Sequence, residues 1–116
     1  MSAPLESYLR TYRKRSGFSQ DEVAFLLGSA SGQRVSRYEC RARRPTLETA
    51  LAFEAIFQTP VKQLFAGLYQ KVEKDTIARA RVLTEKLNAA RLDRITARKL
   101  VALQSFAASA ETHAHR

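Results

Sequence analysis

The sequence predicts an all-α protein. Only four glycines and three prolines interrupt its 116 residues, so few breaks separate possible elements. Apolar residues recur at helical spacing in several segments, whereas long runs of alternating β-branched residues, which would indicate strands, do not occur. With 45% apolar and 27% charged residues, the composition is that of a folded globular chain. We therefore expect one small helical domain followed by additional helices.

The first predicted helix spans residues 5–16. Its apolar residues share one face: Leu5, Tyr8, Leu9 and Tyr12. Three cations near its C-terminal end complement the helix dipole. Gly17 is expected to end this helix, because glycine commonly follows the last helical residue.

Two short helices separated by a tight turn are predicted next. Ser19 and Glu22 have capping-box spacing, which begins a helix over residues 20–27, and Gly28 is suited to end it. The core side of this helix is apolar: Val23, Ala24, Leu26 and Leu27. Ser31 is expected to cap a third helix over residues 32–40. In that helix we expect two inward residues, Val35 and Tyr38.

Four more helices complete the prediction. Thr46 caps a fourth helix through Phe57, and Pro60 begins a short fifth helix that ends at Gly67. Beyond Gly67 the pattern changes to two longer helices with a narrower apolar stripe, for which Asp75 and Thr96 are the expected caps. Ile95 and Leu100 have the spacing of a hydrophobic staple at the second of these caps. We predict a domain over residues 1–67, a helical extension over 68–108 and a flexible tail over 109–116.

Charge gives the first indication of function. The chain carries 20 Lys and Arg against 11 Asp and Glu, a formal net charge of +9, and has a pI near 10.3. Such a basic domain favours a polyanionic partner, with nucleic acid as the leading candidate. An anionic membrane surface would attract the same charge, and basic residues also serve solubility alone. The position of the basic residues in the sequence must distinguish between these three explanations.

Cysteine content and hydropathy indicate the compartment. The single cysteine, Cys40, excludes an intramolecular disulfide and a cysteine zinc cluster, and it fits a reducing compartment. The N-terminal residues lack a signal-peptide pattern, and no apolar run approaches the ~20 residues that span a bilayer. We therefore expect a soluble cytoplasmic protein with no membrane partner.

Three ordered segments carry a family resemblance. They read Phe18-Ser-Gln-Asp-Glu-Val-Ala-x-x-Leu-Gly28, Val35-Ser-Arg-Tyr-Glu39 and Arg43-Arg-Pro45. In this order and spacing they resemble the Cro/CI-type (XRE-family) helix-turn-helix proteins over roughly residues 5–67. The resemblance implies a five-helix lambda-repressor-like domain that binds double-stranded DNA, here with two additional C-terminal helices.

Two positions depart from the family pattern. The turn between Gly28 and Val35 is one residue longer than usual, and we place the extra residue at Ser29 or Ala30, which keeps Ser31 as the cap. A later insertion would shift residues 32–34 relative to the DNA. Arg41 stands where a glycine commonly follows the Glu.

The third predicted helix is the candidate recognition helix. A helix fits the major groove, which is about 12 Å wide, and presents its outward N-terminal residues to base edges. The expected base-reading residues lie on that face: Gln33, Arg34, Ser36 and Arg37. Phosphate contacts are expected from the start of the preceding helix and from the following loop: Gln20, Arg41, Arg43 and Arg44.

A homodimer is the expected assembly, because one recognition helix alone reads too little DNA to be selective. The stripe that we expect at its interface lies in the extension: Ile77, Leu83, Leu87, Leu100, Leu103 and Phe106. The alternative prediction is that these residues pack against the first domain and complete its core. Together the patterns predict a sequence-specific transcriptional regulator that binds a palindromic operator.

Other functions share the same DNA-binding half. An antitoxin would use its C-terminal helices to bind a protein partner. An accessory of a DNA-modifying or RNA-processing enzyme would bind without sequence preference, and so would a structural chromatin protein.

Several chemically reactive residues are expected to be structural or passive. Glu39 is interpreted as an acceptor for an arginine or for backbone amides, and Cys40 as a passive thiol rather than a redox sensor. His113 and His115 lie in the predicted tail without further ligands nearby, so we expect no metal site. No phosphate-binding glycine loop or activated nucleophile is recognisable. We expect neither a cofactor nor enzymatic activity.

Overall fold

The computed structural model describes residues 5–29 and 31–114, apart from the side chains of residues 111–114. These residues form seven α-helices and no β-strand. In chain order they are α1 (Leu9–Ser16), α2 (Gln20–Leu26), α3 (Gly32–Glu39), α4 (Leu47–Phe57), α5 (Val61–Leu64), α6 (Ala66–Ala89) and α7 (Arg94–Ala114). The prediction of five helices followed by two longer ones is confirmed. Among the described residues, no helix combines the length and the apolar content that crossing a membrane requires.

The chain divides into two compact units, residues 1–70 and 71–116, and the division falls within α6. The first unit has a single apolar core to which α1 to α5 all contribute. Its buried members are Leu9, Val23, Ala24, Val35, Tyr38, Ala50, Phe53, Leu64 and Phe65. The Tyr38 ring meets the Phe53 ring edge-on, with centroids 5.9 Å apart. The inward positions of Val35 and Tyr38 are confirmed, whereas Leu26 is half exposed and not part of the core.

Side-chain caps begin three of the helices as predicted. The Ser19 hydroxyl accepts the Glu22 backbone N–H while the Glu22 carboxylate accepts the Ser19 N–H, which completes a capping box at α2. These hydrogen bonds to Ser19 lower the pKa of Glu22 below its ordinary value. At α3 the Ser31 hydroxyl accepts the Gln33 backbone N–H, and at α4 the Thr46 hydroxyl accepts the Thr49 backbone N–H. Each cap satisfies a backbone donor that the helix leaves unpaired.

The first helix starts later than predicted. α1 begins at Leu9, and Leu5 is exposed rather than part of the inner face. The reason is a competing set of partners: the Tyr8 N–H donates to the Leu64 carbonyl at 2.7 Å, and the Gly67 N–H donates to the Leu5 carbonyl at 2.8 Å. The preceding segment is therefore held against α5 and the start of α6 instead of forming a helical turn.

Three predicted helix boundaries in the C-terminal half are wrong. Gly67 does not end a helix, because α5 stops at Leu64 and α6 begins at Ala66. Asp75 lies inside α6 and caps nothing. Thr96 is the third residue of α7, and the Asp93 carboxylate accepts its backbone N–H at 2.7 Å.

The cap of α7 is thus Asp93, three residues before the predicted one. With the cap at Asp93, Ile95 lies within the first turn, where it is exposed, and the expected staple with Leu100 does not form.

The second unit consists of α7 and most of α6. Its least exposed residues recur at alternating spacings of four and three: Glu73, Ile77, Ala80, Thr84 and Leu87 on α6, and Thr96, Leu100, Leu103, Ala107 and Ala110 on α7. This spacing is typical of helices that pack side by side. α7 continues through Ala114, so part of the predicted tail 109–116 is helical. His115 and the His113 side chain lie outside the described residues.

Candidate nucleic-acid interface

Helices α2 and α3 are joined by a short turn that begins with a left-handed residue. Gly28 has φ of 77°, a conformation that glycine adopts without steric cost. Around it the Ser29 N–H donates to the Ala24 carbonyl and the Gly28 N–H donates to the Phe25 carbonyl, which forms a Schellman motif. Ser31 caps α3, as placed by the sequence, while Ala30 lies outside the described residues.

A close approach at Gly32 sets the position of α3 against α2. The Gly32 N–H donates to the Asp21 carboxylate at 3.0 Å, and this carboxylate lies in the first turn of α2. A Cβ atom at Gly32 would lie 2.5 Å from the Asp21 Oδ1 and 3.0 Å from its backbone nitrogen. Only glycine therefore allows the two helix starts to come this close.

The two sides of α3 differ sharply in exposure. Val35 and Tyr38 are buried in the core, which fixes the rotation of the helix about its axis. Among the predicted base-reading residues, Gln33, Arg34 and Arg37 are exposed and Ser36 is half-buried. The helix thus presents an amide and two guanidinium groups to solvent. These groups match the hydrogen-bonding edges of adenine and guanine.

An ion pair ties α1 to the end of α3. The Arg13 Nε and Nη2 donate to the two carboxylate oxygens of Glu39, the second at 3.1 Å, and the side chains are only 12% and 5% exposed. Arg13 also donates to the Phe18 carbonyl at 3.0 Å. The hydrogen bond to Glu39 raises the pKa of Arg13 above its ordinary value. The interpretation of Glu39 as an acceptor for an arginine is confirmed.

Gln20 belongs to the same network. Its Nε2 donates to the Glu39 Oε1 at 3.2 Å, so the side-chain amide of this predicted phosphate contact already has a protein partner. The Gln20 backbone lies at the first position of α2, where the N–H group has no partner within the helix. Glu39 therefore positions Gln20 at the amide end of α2.

The loop after α3 repeats the geometry found after α2, with an arginine at the left-handed position. Arg41 has φ of 67°, and the Ala42 N–H donates to the Arg37 carbonyl at 2.9 Å. Residues with a Cβ atom adopt this conformation only at a cost in energy. Arg43 is exposed, and the Nε of the exposed Arg44 lies 3.5 Å from the carboxylate of the half-buried Glu6 in an ion pair.

An open cavity of about 300 Å³ lies beside this network, lined by Arg10, Arg13, Gln20, Ser36, Glu39 and Cys40. The Glu39 carboxylate in this lining is paired with Arg13. The exposed Cys40 thiol donates to the Arg37 carbonyl at 3.6 Å. Among residues 5–29 and 31–114, no group of three His, Cys, Asp or Glu side chains could hold a metal ion.

Sequence reasoning missed the two contacts that hold the site together. Arg13 is one of the three cations predicted near the end of the first helix, yet it pairs with Glu39, 26 positions away. Asp21 has no predicted role of its own, yet its carboxylate accepts the Gly32 backbone N–H, 11 positions away. No local pattern indicates either partner, because both contacts depend on how the helices pack.

Comparison with known proteins assigns the segment that contains this site. A family model described as helix-turn-helix matches residues 9–64. No curated protein and no solved structure gives a significant match to the chain. The matched segment begins with α1 and ends with α5, so it includes every residue predicted to contact a base or a phosphate.

Proposed function

Since residues 9–64 belong to the Cro/CI-type (XRE-family) helix-turn-helix proteins, which bind DNA, we propose that this chain is a transcriptional regulator that recognises a specific operator. The observation that carries the proposal is the exposed polar face of α3 opposite its buried side. Because Val35 and Tyr38 anchor the helix in the core, the outer residues are held in one orientation. Such preorganisation favours selective over indiscriminate binding.

In this proposal four residues of α3 read bases. Arg34 and Arg37 would donate in bidentate fashion to guanine, and Gln33 would pair with adenine. The half-buried Ser36 would contact a neighbouring base or a phosphate through its hydroxyl. Each good bidentate pair contributes about 1–3 kcal/mol of discrimination against a wrong base.

Phosphate contacts would position α3 in the groove. Arg41 and Arg43 are exposed and carry charge immediately after α3, which supports this role. Arg44 would exchange its half-buried partner Glu6 for a phosphate at little cost, because ion pairs at the protein surface contribute about 0–1 kcal/mol. Gln20 would act through its backbone N–H and through the second N–H of its side-chain amide, since Glu39 accepts only one of the two amide hydrogens.

The functional form would be a homodimer on a palindromic operator, with half-sites about 34 Å apart. Much apolar surface of the second unit supports this assembly. Of the six residues predicted at the interface, Ile77, Leu87, Leu100 and Leu103 are half-buried within the single chain, while Leu83 and Phe106 are exposed. The interface would therefore use the exposed residues, together with Val72 and Ile95.

Selection of bound sequences from random duplex DNA tests the proposal. We expect a palindromic consensus, which would establish specificity, symmetry and half-site spacing in one experiment. Recovery of sequences without any consensus would contradict specific recognition and would favour an accessory or chromatin role.

Single variants then separate base contacts from phosphate contacts. Arg37→Ala should change preference at particular base pairs, whereas the matched variant Arg43→Ala should weaken all duplexes alike and reduce the salt slope by about one unit. Binding to a panel of single-base operator variants measures both effects. An unchanged preference profile for Arg37→Ala would remove this residue from base reading.

A further inference from the structure

The second unit is as basic as the DNA-reading unit. Residues 71–116 contain ten of the 20 Lys and Arg residues but only five of the 11 Asp and Glu residues. The first 70 residues contain ten and six, respectively. A purely dimerising extension has no need of this excess, because like charges on the two copies would repel each other.

The excess is concentrated where α6 ends and α7 begins. Four cations lie within nine residues there and all are exposed: Arg91, Arg94, Arg98 and Lys99. We call this cluster the basic turn. The one acid in this segment is Asp93, whose carboxylate is occupied by the Thr96 backbone N–H, and this hydrogen bond lowers the pKa of Asp93. The positive charge of Lys99 also lowers this pKa, and the hydrogen bond to Thr96 holds the Asp93 carboxylate at the start of α7.

The basic turn works against the stability of its own helix. Cations near a helix N-terminus oppose the helix dipole, and the first turn of α7 contains no acid. Arg94 and Arg98 are four residues apart, a spacing at which like charges on a helix repel. In α2, by contrast, Asp21 and Glu22 occupy the first turn. An arrangement that weakens the helix while accumulating exposed positive charge is typical of a binding surface for anions.

We infer that the basic turn is a second DNA-binding surface, which contacts phosphates without reading sequence. The inference rests on the DNA binding of the first unit, because a chain already held on DNA meets further phosphates at high effective concentration. The exposed Leu92 and Ile95 beside the cluster would also suit an anionic membrane. DNA is favoured over a membrane because the same chain carries the helix-turn-helix.

Salt-dependent binding of the full-length chain to a random-sequence duplex tests this surface. The triple variant R91Q/R94Q/R98Q should lower the slope of log K against log salt by about 1.8 to 2.7, at about 0.9 for each lost contact. Its affinity at moderate salt should fall about tenfold or more. The control K71Q/K74Q/R79Q removes the same charge from exposed positions of α6 and should keep the wild-type slope.

Three results would overturn the inference: equal slope losses in the two variants, a wild-type slope in the first variant, or loss of binding to phosphatidylserine vesicles with unchanged DNA binding. Helix content from circular dichroism should be retained in R91Q/R94Q/R98Q, because glutamine relieves the charge conflict in α7. The outcome is separate from that of the operator selection. A missing consensus would contradict the proposed sequence specificity. It would not change the expected difference in salt slope between R91Q/R94Q/R98Q and K71Q/K74Q/R79Q.

Discussion

The two units of the chain differ in how they bury apolar surface. The first unit encloses nine buried apolar residues in one cluster. In the second unit, among the described side chains, only Ala80 and Thr96 reach comparable burial, while Leu92 and Val101 are mostly exposed. Since stability follows the apolar area removed from water, the first unit is stabilised by its own core. The second unit has narrow stripes and depends far more on what covers the rest of its surface.

The two units also have different proposed roles in DNA binding. The core of the first unit immobilises α3, because Val35 and Tyr38 are part of that core. In the proposed function, a rigid α3 would support discrimination between bases, whereas the exposed charge and apolar surface of the second unit would support assembly and general attraction to DNA. Four substitutions or truncations test this division.

The largest effect is expected from Phe53→Ala in the centre of α4. Phe53 is 0% exposed and packs against Tyr38 and Phe57, so its removal should lower the free energy of unfolding by about 3–5 kcal/mol. Leu51→Ala on the same helix is the control, because Leu51 is 52% exposed and should change stability far less. Urea unfolding followed by circular dichroism measures both. Similar losses in the two variants would contradict the core described for the first unit.

Truncation after Gln70 should leave a folded monomer that binds the operator weakly. The cut preserves the hydrogen bond from Gly67 to Leu5 and removes the second unit. Losing the link between two half-site binding events should reduce affinity by about 10²–10⁴-fold with unchanged base preference. Light scattering and operator titration measure the two properties.

Full-length variants keep this test informative if the truncated chain does not fold. L83E/F106E should yield a monomer, whereas L51E, an exposed apolar position in the first unit, should remain dimeric. A dimer that survives L83E/F106E but not L51E would move the interface to the first unit.

Gly32→Ala should weaken the contact between α2 and α3. The new Cβ atom would clash with Asp21, and displacing α3 should lower the free energy of unfolding by about 1–3 kcal/mol. Operator affinity should fall as well, since the start of α3 carries Gln33 and Arg34. Thermal unfolding should show a midpoint lower by several degrees. Ser36→Ala, at a half-buried position of the same helix, should leave that midpoint nearly unchanged.

The smallest expected effect has opposite signs for stability and binding. Arg41→Gly should raise the free energy of unfolding by about 1 kcal/mol, because glycine adopts the left-handed conformation of this position without strain. It should also reduce the salt slope of DNA binding by about 0.9, as one phosphate contact is lost. Ala42→Gly is the control, since its φ is not positive. A less stable Arg41→Gly chain would show that the arginine side chain stabilises the loop.

The sequence by itself determined the local features of this protein. Ser19, Ser31 and Thr46 were placed correctly as caps because each binds a backbone group two or three residues away. The helical periodicity likewise determined the all-α class and the inward side of α3. The cap at Asp93 is equally local, because its carboxylate accepts the backbone N–H of Thr96 three residues later.

Tertiary structure decided what local spacing does not encode. The start of α1 depends on the Leu64 carbonyl, and the position of α3 depends on Asp21 and on Arg13 through Glu39. These partners are far apart in the chain, so their pairing follows from core packing rather than from any short pattern.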